Sequence, residues 1–292
     1  GERDPNGKAN HDLQRFTSRL RDAGMRVQTH NLARMPHIPD NTDLLVIASP
    51  QTPYLPGERA LVRQFVNAGG RLLWLTEPGG PGGMGRLLGD LGLRRRPGVV
   101  VDPAAPLIGT DRPDFAVVSE YGRHPVTDEL DSVTVFPQAA ALETTAEAGW
   151  RQAGLLRSHA RSWNERGPIE GEIRHGDQAD ESKGPLSLGI AASRGGNATD
   201  GSAGQRVAVI GDGDFLSNAY LGNGANLDLG RRLVNWLVGA DRRIQVATRR
   251  PPDISIDMSR TALAIVGLGF LVVLPALFLG IAGLLAWRRR RQ

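Results

Sequence analysis

The sequence of 292 residues contains no cysteine. This absence excludes disulfide bonds, thiolate zinc sites and a cysteine nucleophile. Lysine is nearly missing too, since only Lys8 and Lys183 occur among the 35 basic residues. The formal net charge of +4 equals the contribution of the four arginines Arg288–Arg291, so the rest of the chain is electrically balanced. The composition therefore predicts no nucleic-acid partner.

The sequence also lacks the motifs of several enzyme classes. No Gly-Lys-Ser/Thr follows a glycine-rich turn, which excludes a P-loop, and no G-x-S-x-G nucleophile elbow is present. The histidines never show the H-x-x-x-H or H-E-x-x-H spacing that places two metal ligands on one helix face. They are His11, His30, His37, His124, His159 and His175. Because these motifs are absent, the sequence predicts no catalytic residue, no metal centre and no cofactor.

Helical patterns alternate with apolar runs over residues 1–240, which we take as one domain. The hydrophobic spacing predicts helices over 10–24 with Asn10 as the N-cap, from Pro56 to the Gly69-Gly70 pair, around 85–91, and over 226–239. Strands are predicted at 25–31, 44–48, 71–75, 99–102, 185–192 and 206–210. Strands that are apolar on both faces are typical of a parallel, doubly wound α/β sheet.

The middle of the chain, about 103–185, is less regular than the two ends. Short strand patterns occur there at 115–119, 132–136 and 151–158. The polar, glycine-containing stretches 162–183 and 194–205 are expected to contribute little core. We interpret this region as a β-rich insertion in the α/β domain.

An uncharged run from Ala262 to Trp287 exceeds the roughly 20 residues that span a hydrocarbon core. It predicts one C-terminal transmembrane helix in a lipid bilayer, after a linker at 241–261. The dense arginines of the 288–292 tail favour the cytoplasmic side for that end. The α/β domain is therefore expected outside the cytoplasm, anchored to the inner (cytoplasmic) membrane by a single span.

A glycine-rich loop contains a literal G-x-G-x-x-G at Gly80, Gly82 and Gly85, with Asp102 near the position of a ribose-binding acid. This spacing raises the possibility of a dinucleotide site. Pro81 stiffens the turn, however, and any run so rich in glycine matches the motif by chance. The favoured interpretation is a mobile glycine loop without a nucleotide.

Two aspartates, Asp212 and Asp214, follow the strand pattern RVAVI. Carboxylates at the carboxyl end of a buried strand lie where open α/β sheets bind ligands, and a pair of them suits a hard cation. Aspartate in a Gly-rich turn also accepts hydrogen bonds from its own backbone, and this structural interpretation is favoured. The candidate ligand-binding residues at this edge are Asp212, Asp214, Ser217, Asn218, Glu77, Gly80 and Gly82.

Several segments together resemble the GldG-like auxiliary components of ABC transport systems of the gliding-motility type. The segments that carry the resemblance are Gly1-Glu2-Arg3, DLLVIASPQTPYLPGE, FVNAGGRLLWLTEP, HPVT at 124–127, VFP at 135–137, SWNE at 162–165, KGPLSLGIA and VAVIGDGDFLSN. The order of the C-terminal features is similar as well, with a helix ending in NWLVG, a linker, an apolar helix and an arginine-rich tail.

The resemblance implies a flavodoxin-like domain of the class I glutamine amidotransferase type. It also implies an ABC permease and, through it, an ATPase subunit as partners. Since amidotransferases of this fold use a cysteine that this sequence lacks, the resemblance implies a non-catalytic use of the fold. It further implies a first strand and a membrane helix ahead of Gly1.

The sequence thus predicts a membrane-anchored auxiliary subunit that contacts the permease or a small-molecule or polymer cargo. The alternative is a membrane-tethered enzyme of a different class. That enzyme would depend on a metal at Asp212 and Asp214, or on a nucleotide at Gly80–Gly85.

Overall fold

The computed structural model describes residues 2–80, 82–145, 149–170, 173–176, 178–195 and 204–240, together with positions 275, 278, 289 and 291. The chain divides into two compact units, Gly1–Gln245 and Val246–Gln292, and the elements below belong to the first. The segment 262–287, predicted to span a membrane, lies outside the described residues except for positions 275 and 278. Within the described part, no helix is both long enough and apolar enough to cross a membrane.

The helices follow the predicted hydrophobic spacing. In the described residues they are α1 (Gln14–Asp22), α2 (Pro56–Asn67), α3 (Gly85–Asp90) and α4 (Asn226–Val238). Helix α2 begins with Pro56, whose fixed φ suits the first helical turn, and Glu58 accepts a hydrogen bond from the Leu55 amide. Helix α1 starts later than predicted, with Leu13 and not Asn10 at its N-cap.

The strands outnumber those predicted from the sequence. In the described residues they are β1 (Leu45–Ala48), β2 (Leu72–Leu75), β3 (Leu93–Arg95), β4 (Val99–Val101), β5 (Phe115–Val118), β6 (Glu120–Tyr121), β7 (Thr134–Pro137), β8 (Leu142–Thr144), β9 (Arg151–Arg157), β10 (Trp163–Glu165), β11 (Ser187–Arg194) and β12 (Gln205–Ile210). Short 3-10 turns lie at Ala105–Ile108 and Asp214–Leu216.

The main sheet is mixed, which corrects the expectation of a parallel sheet. Its strand order is β1-β2-β12-β11-β8-β3, and β9 pairs with both β11 and β6. Among the described strands only the pairs β1–β2 and β2–β12 are parallel, whereas β11 runs antiparallel to β12, β8 and β9. The parallel part of the sheet is therefore the three-stranded group β1, β2 and β12.

Helices cover both faces of this parallel group. Leu73 and Leu75 of β2 join the core beneath α1 and α4, whereas Leu72 and Trp74 join the core beneath α2 and α3. Alternate residues of a strand point to opposite faces, so β2 is apolar throughout because each face has its own core. The result is a three-layer α/β/α arrangement.

The region about 103–185 contributes β5–β10 and is joined to the domain through several pairings. Strands β5 and β7 form one small antiparallel sheet, and β4 and β10 form another, whereas β9 belongs to the main sheet. The polar stretch 162–183 was expected to stay outside the core. Instead, Asn164 and Glu165 in β10 are buried, and the Asn164 amide donates to the Pro97 carbonyl.

Residues 25–31, predicted as a strand, form no strand in the structure. Met25 and Val27 are partly buried against the core that α1 and α4 cover. The alternation of apolar and polar residues at 25–31 therefore reflects an extended segment that contacts the core on one side. No ladder of backbone hydrogen bonds accompanies that contact in the described residues.

Candidate functional site

The carboxyl ends of β1, β2 and β12 meet at one edge of the sheet. The register aligns Ala48, Leu75 and Ile210 as the last residues of the three strands. Because the strands are parallel, Glu77 and Asp212, each two residues past a strand end, are brought side by side. This edge is where open α/β sheets place their ligand sites.

Three carboxylates form an acidic cluster at this edge. One oxygen from each of Glu77, Asp212 and Asp214 lies within 4.8 Å of the others. Asp212 is fully buried, while Glu77 and Asp214 are partly exposed. Such a set of oxygen ligands could coordinate a hard cation.

Arg3 supplies positive charge to the acidic cluster. Its guanidinium lies 2.8 Å from Glu77 Oε1 and 2.9 Å from Asp214 Oδ1, and it also donates to the His11 carbonyl. The Arg3 amide donates to the carbonyl of Ala48 at the end of β1, which fixes the backbone beside the site. The chain's own N-terminal segment thus provides a counter-ion for this edge.

Asp212 organises the turn that follows β12. Its two carboxylate oxygens accept hydrogen bonds from the amides of Asp214 (2.8 Å) and Phe215 (3.0 Å). These amides begin the 3-10 turn Asp214–Leu216 and have no partner within it, so a carboxylate there acts as a cap. Gly213 between the aspartates packs tightly, because a Cβ at this position would overlap the Ser49 hydroxyl. Asp212 therefore has the structural role favoured from the sequence.

Burial perturbs the ionisation of this cluster. Burial, together with the negative charges of Glu77 and Asp214, holds the pKa of Asp212 well above its usual range, although two backbone amides oppose the shift. Burial also raises the pKa of Glu77, more than its hydrogen bond with Arg3 lowers it. For Arg3, burial alone would lower the pKa, but Glu77 and Asp214 raise it above the ordinary value. Negative charge at Asp212 is thus disfavoured while Arg3 stays protonated.

The raised pKa of Asp212 predicts a pH-dependent stability difference. A buried acid with a raised pKa stabilises the fold most at acidic pH, and this contribution is lost as pH rises through the folded-state pKa. Asp212→Asn cannot ionise, so the free energy of unfolding of wild type should fall relative to that of the variant from pH 4 to 8. The fall should be about 1.4 kcal/mol for each unit by which folding raises the pKa.

Urea unfolding of both proteins at several pH values measures this difference. Asp22→Asn, at an exposed carboxylate on α1, serves as the matched control for the loss of one acid. A wild-type stability that rises relative to Asp212→Asn over this range would contradict the assignment of a raised pKa.

The N-terminal segment is anchored to the loop after β12 through further polar contacts. The Asn218 amide group donates to the carbonyls of Gly7 and Ala9, and its oxygen accepts from the Arg15 amide. Asp12 accepts from the amides of Asp4 and Ala9, which closes the segment on itself. The loop that contains the candidate ligand-binding residues Asp212–Asn218 is thus contacted by residues 3–15 of the same chain.

The glycine-rich loop packs beside the acidic cluster, with residue 81 outside the described part. Gly80 pairs with Glu77 in an isolated bridge, and the carbonyl of Gly82 accepts from the Tyr54 amide. Gly82 has φ of 58°, a left-handed conformation that glycine adopts most readily. The backbone contacts of Gly80 and Gly82 thus give these two glycines a structural role in the loop.

Asp102, which the sequence placed near a ribose-binding position, has a structural role. It is fully buried, and its carboxylate accepts from the amides of Ala104 and Val117. Both oxygens are therefore engaged with backbone amides. Asp102 is therefore not available to bind a ribose hydroxyl, as the nucleotide hypothesis required.

The sequence grouped the acidic residues of this edge but did not identify Arg3, the residue that pairs with them. Glu77, Asp212 and Asp214 lie together, and Ser217 and Asn218 follow in the same loop. The Ser217 hydroxyl is buried and has no hydrogen-bond partner among the described residues. Arg3 was not a candidate, because it lies 74 positions from Glu77 and no local spacing relates the two. Its occurrence in the Gly1-Glu2-Arg3 segment was the only available signal.

The fold and the site together define a three-layer α/β protein whose acidic strand-end loop is balanced by its own N-terminal arginine. A family described as "ABC-type uncharacterized transport system" matches residues 2–235. The chain therefore belongs to this family of ABC transporter auxiliary proteins. Membership associates it with the components of such a system, a permease and an ATPase.

One solved structure extends the comparison of fold. The structure titled "mmIFT52 N-terminal domain" matches with a TM-score of 0.55 and 15% sequence identity, covering 77% of this chain and 90% of that chain. At this identity the likeness concerns the fold alone. No curated protein matches the sequence.

Proposed function

We propose that this protein is a non-catalytic, GldG-like auxiliary subunit of an ABC transporter, anchored by a C-terminal helix at 262–287. Its α/β domain, of the flavodoxin-like and amidotransferase-like type, lies outside the cytoplasm and contacts the permease or its cargo. The family match over residues 2–235 supports the transport role. The parallel strands with helices on both faces support the type of domain.

The non-catalytic part rests on the contacts that the N-terminal segment makes with the strand-end loop, through Arg3 and through the residues that bind Asn218. Catalytic carboxylates need access to substrate and freedom to exchange protons. Here Glu77 and Asp214 are paired with Arg3, and Asp212 accepts two backbone hydrogen bonds. The edge therefore acts as a rigid surface for recognition.

The proposed contact face comprises Pro50–Pro53, Glu77–Gly83 and Asp212–Asn218. A photo-crosslinking amino acid at the exposed Thr52 tests it when the full chain is co-expressed with its ABC permease and ATPase. Asp43, exposed and just ahead of β1, provides the matched control at the opposite end of that strand. We expect a crosslink to the permease or cargo from position 52 and none from position 43. Equal crosslinking from both positions, or none from position 52, would contradict the proposal.

The alternative is a metal-dependent enzyme, and the 4.8 Å grouping of the three acidic oxygens favours it. Isothermal titration with Mg²⁺ and Mn²⁺ separates the two functions. Saturable binding to wild type that is abolished in Asp212→Asn/Asp214→Asn would favour the alternative. Under the proposed function, Arg3 keeps its place and neither cation binds saturably.

A further inference from the structure

A second polar region lies on the face of the sheet that α2 and α3 cover. A cleft of about 940 Å³ opens between these helices and β3. Its volume falls in the range of small-molecule sites, roughly 300–1,000 Å³. The acidic cluster does not belong to its lining.

Arginines dominate the charged lining of the cleft. Helix α2 contributes Arg63, α3 contributes Arg86, and β3 contributes Arg94 and Arg95, whereas Asp90 is the sole acidic residue among the described lining residues. The chain as a whole has nearly equal numbers of acidic and basic residues. Positive charge is therefore concentrated at this position.

Two of these arginines are already paired with carboxylates. Arg63 Nε donates to Asp90 at 2.6 Å. Arg94 pairs with Glu143, which also binds Arg96. Asp90 and Glu143 are thus both paired with arginines.

Arg86 and Arg95 have no acidic partner among the described residues. Arg86 is exposed, and its side chain makes no hydrogen bond or ion pair there. Arg95 donates from Nη1 only to the carbonyls of Pro78 and Arg96, and its buried Nε has no partner. Burial lowers the pKa of Arg95, yet a guanidinium stays charged at neutral pH. One cleft thus contains two cations with unused donors.

We propose that this cleft binds a small anion carrying at least two carboxylate or phosphate groups, held by Arg86 and Arg95. Guanidinium groups match the planar geometry of both anions and form charge-assisted hydrogen bonds with them. The open mouth of the cleft admits such a ligand, while the partly buried Arg95 binds one anionic group away from solvent. Arg95 also contacts Pro78 of the proposed contact face, but anion binding by the cleft does not depend on the permease contact.

Isothermal titration of the full chain with pyrophosphate and with citrate tests the proposal. We expect saturable binding of at least one anion by wild type, weakened about tenfold or more in Arg86→Gln and in Arg95→Gln, as expected for the loss of a charge-assisted hydrogen bond. Arg26→Gln is the matched control, because Arg26 is exposed, lies outside the cleft and carries the same charge. Its affinity should equal that of wild type.

Arg86→Gln keeps the test informative if Arg95→Gln does not fold, because Arg86 is exposed and its loss leaves no buried group unpaired. Absence of saturable binding to wild type by both anions at millimolar concentration would overturn the proposal. So would an equal loss of affinity in Arg26→Gln, because that result would reveal general charge attraction.

Discussion

Replacing Arg3 by alanine is expected to lower the free energy of unfolding by about 3 kcal/mol, as when one partner of a buried ion pair is removed. The Arg3 side chain is 8% exposed, and its partners Glu77 and Asp214 are 15% and 23% exposed. Solvent therefore screens this contact poorly. Removing the guanidinium leaves Glu77 and Asp214 beside Asp212 without their ion-pair partner.

Urea unfolding near neutral pH measures this loss, with Arg26→Ala as the matched control at an exposed arginine. The double variant Arg3→Met/Glu77→Gln should recover part of the stability, because it removes a carboxylate along with its cation. A double-mutant cycle should give a coupling energy of about 1–3 kcal/mol between the two residues. A loss below about 1 kcal/mol in Arg3→Ala would show that the pair behaves like one exposed to solvent.

The parts of the fold that could be predicted from the sequence are those with a local signal. Strands β2 and β12 are apolar on both faces, and α2 and α4 show helical spacing with recognisable ends. The position of Asp212 beside Glu77 also followed, because both residues come just after strands that were expected to be parallel. The acidic cluster was thereby predictable from two local patterns and one rule of topology.

The direction of β11 was not predictable from its apolar pattern. An apolar run such as Ser187–Arg194 packs equally well in a parallel or an antiparallel position, and only its connection to β12 decides. The links of β11 with β9 and β8 bring the middle of the chain into the main sheet. Direction depends on connections that have no periodic signal.

Long-range polar contacts were missed for a related reason. Arg3 reaches Glu77 and Asp214 from a distant part of the sequence, and Asp102 turns inward to backbone amides despite its suggestive spacing. Polar side chains are placed by whichever unsatisfied groups the fold leaves near them, and spacing along the chain does not encode that. Asn226, fully buried like Asn164, is another such residue.

Asn226→Ala is the second substitution with a large expected effect, about 3 kcal/mol of lost stability from buried groups left without hydrogen bonds. Asn226 is the first residue of α4 and is fully buried. Its oxygen accepts from the Val135 amide at 2.9 Å. Its nitrogen donates to the carbonyls of Val135, Phe215 and Tyr220 at 3.0, 3.2 and 3.0 Å. One amide thus joins β7, the turn after β12 and the start of α4.

Asn235→Ala is the matched control, because Asn235 lies in the same helix and its side chain makes no hydrogen bond in the described residues. It should change stability by no more than about 0.5 kcal/mol.

Asn226→Asp keeps the shape and the acceptor but loses the donors, so it should be destabilised at neutral pH as well. A stable Asn226→Asp would show that the hydrogen bonds donated by the two amide hydrogens, which the three carbonyls share, contribute little. The turn that Asn226 binds at Phe215 is the one that Asp212 caps, so Asn226→Ala and Asp212→Asn should be non-additive if that turn acts as one unit.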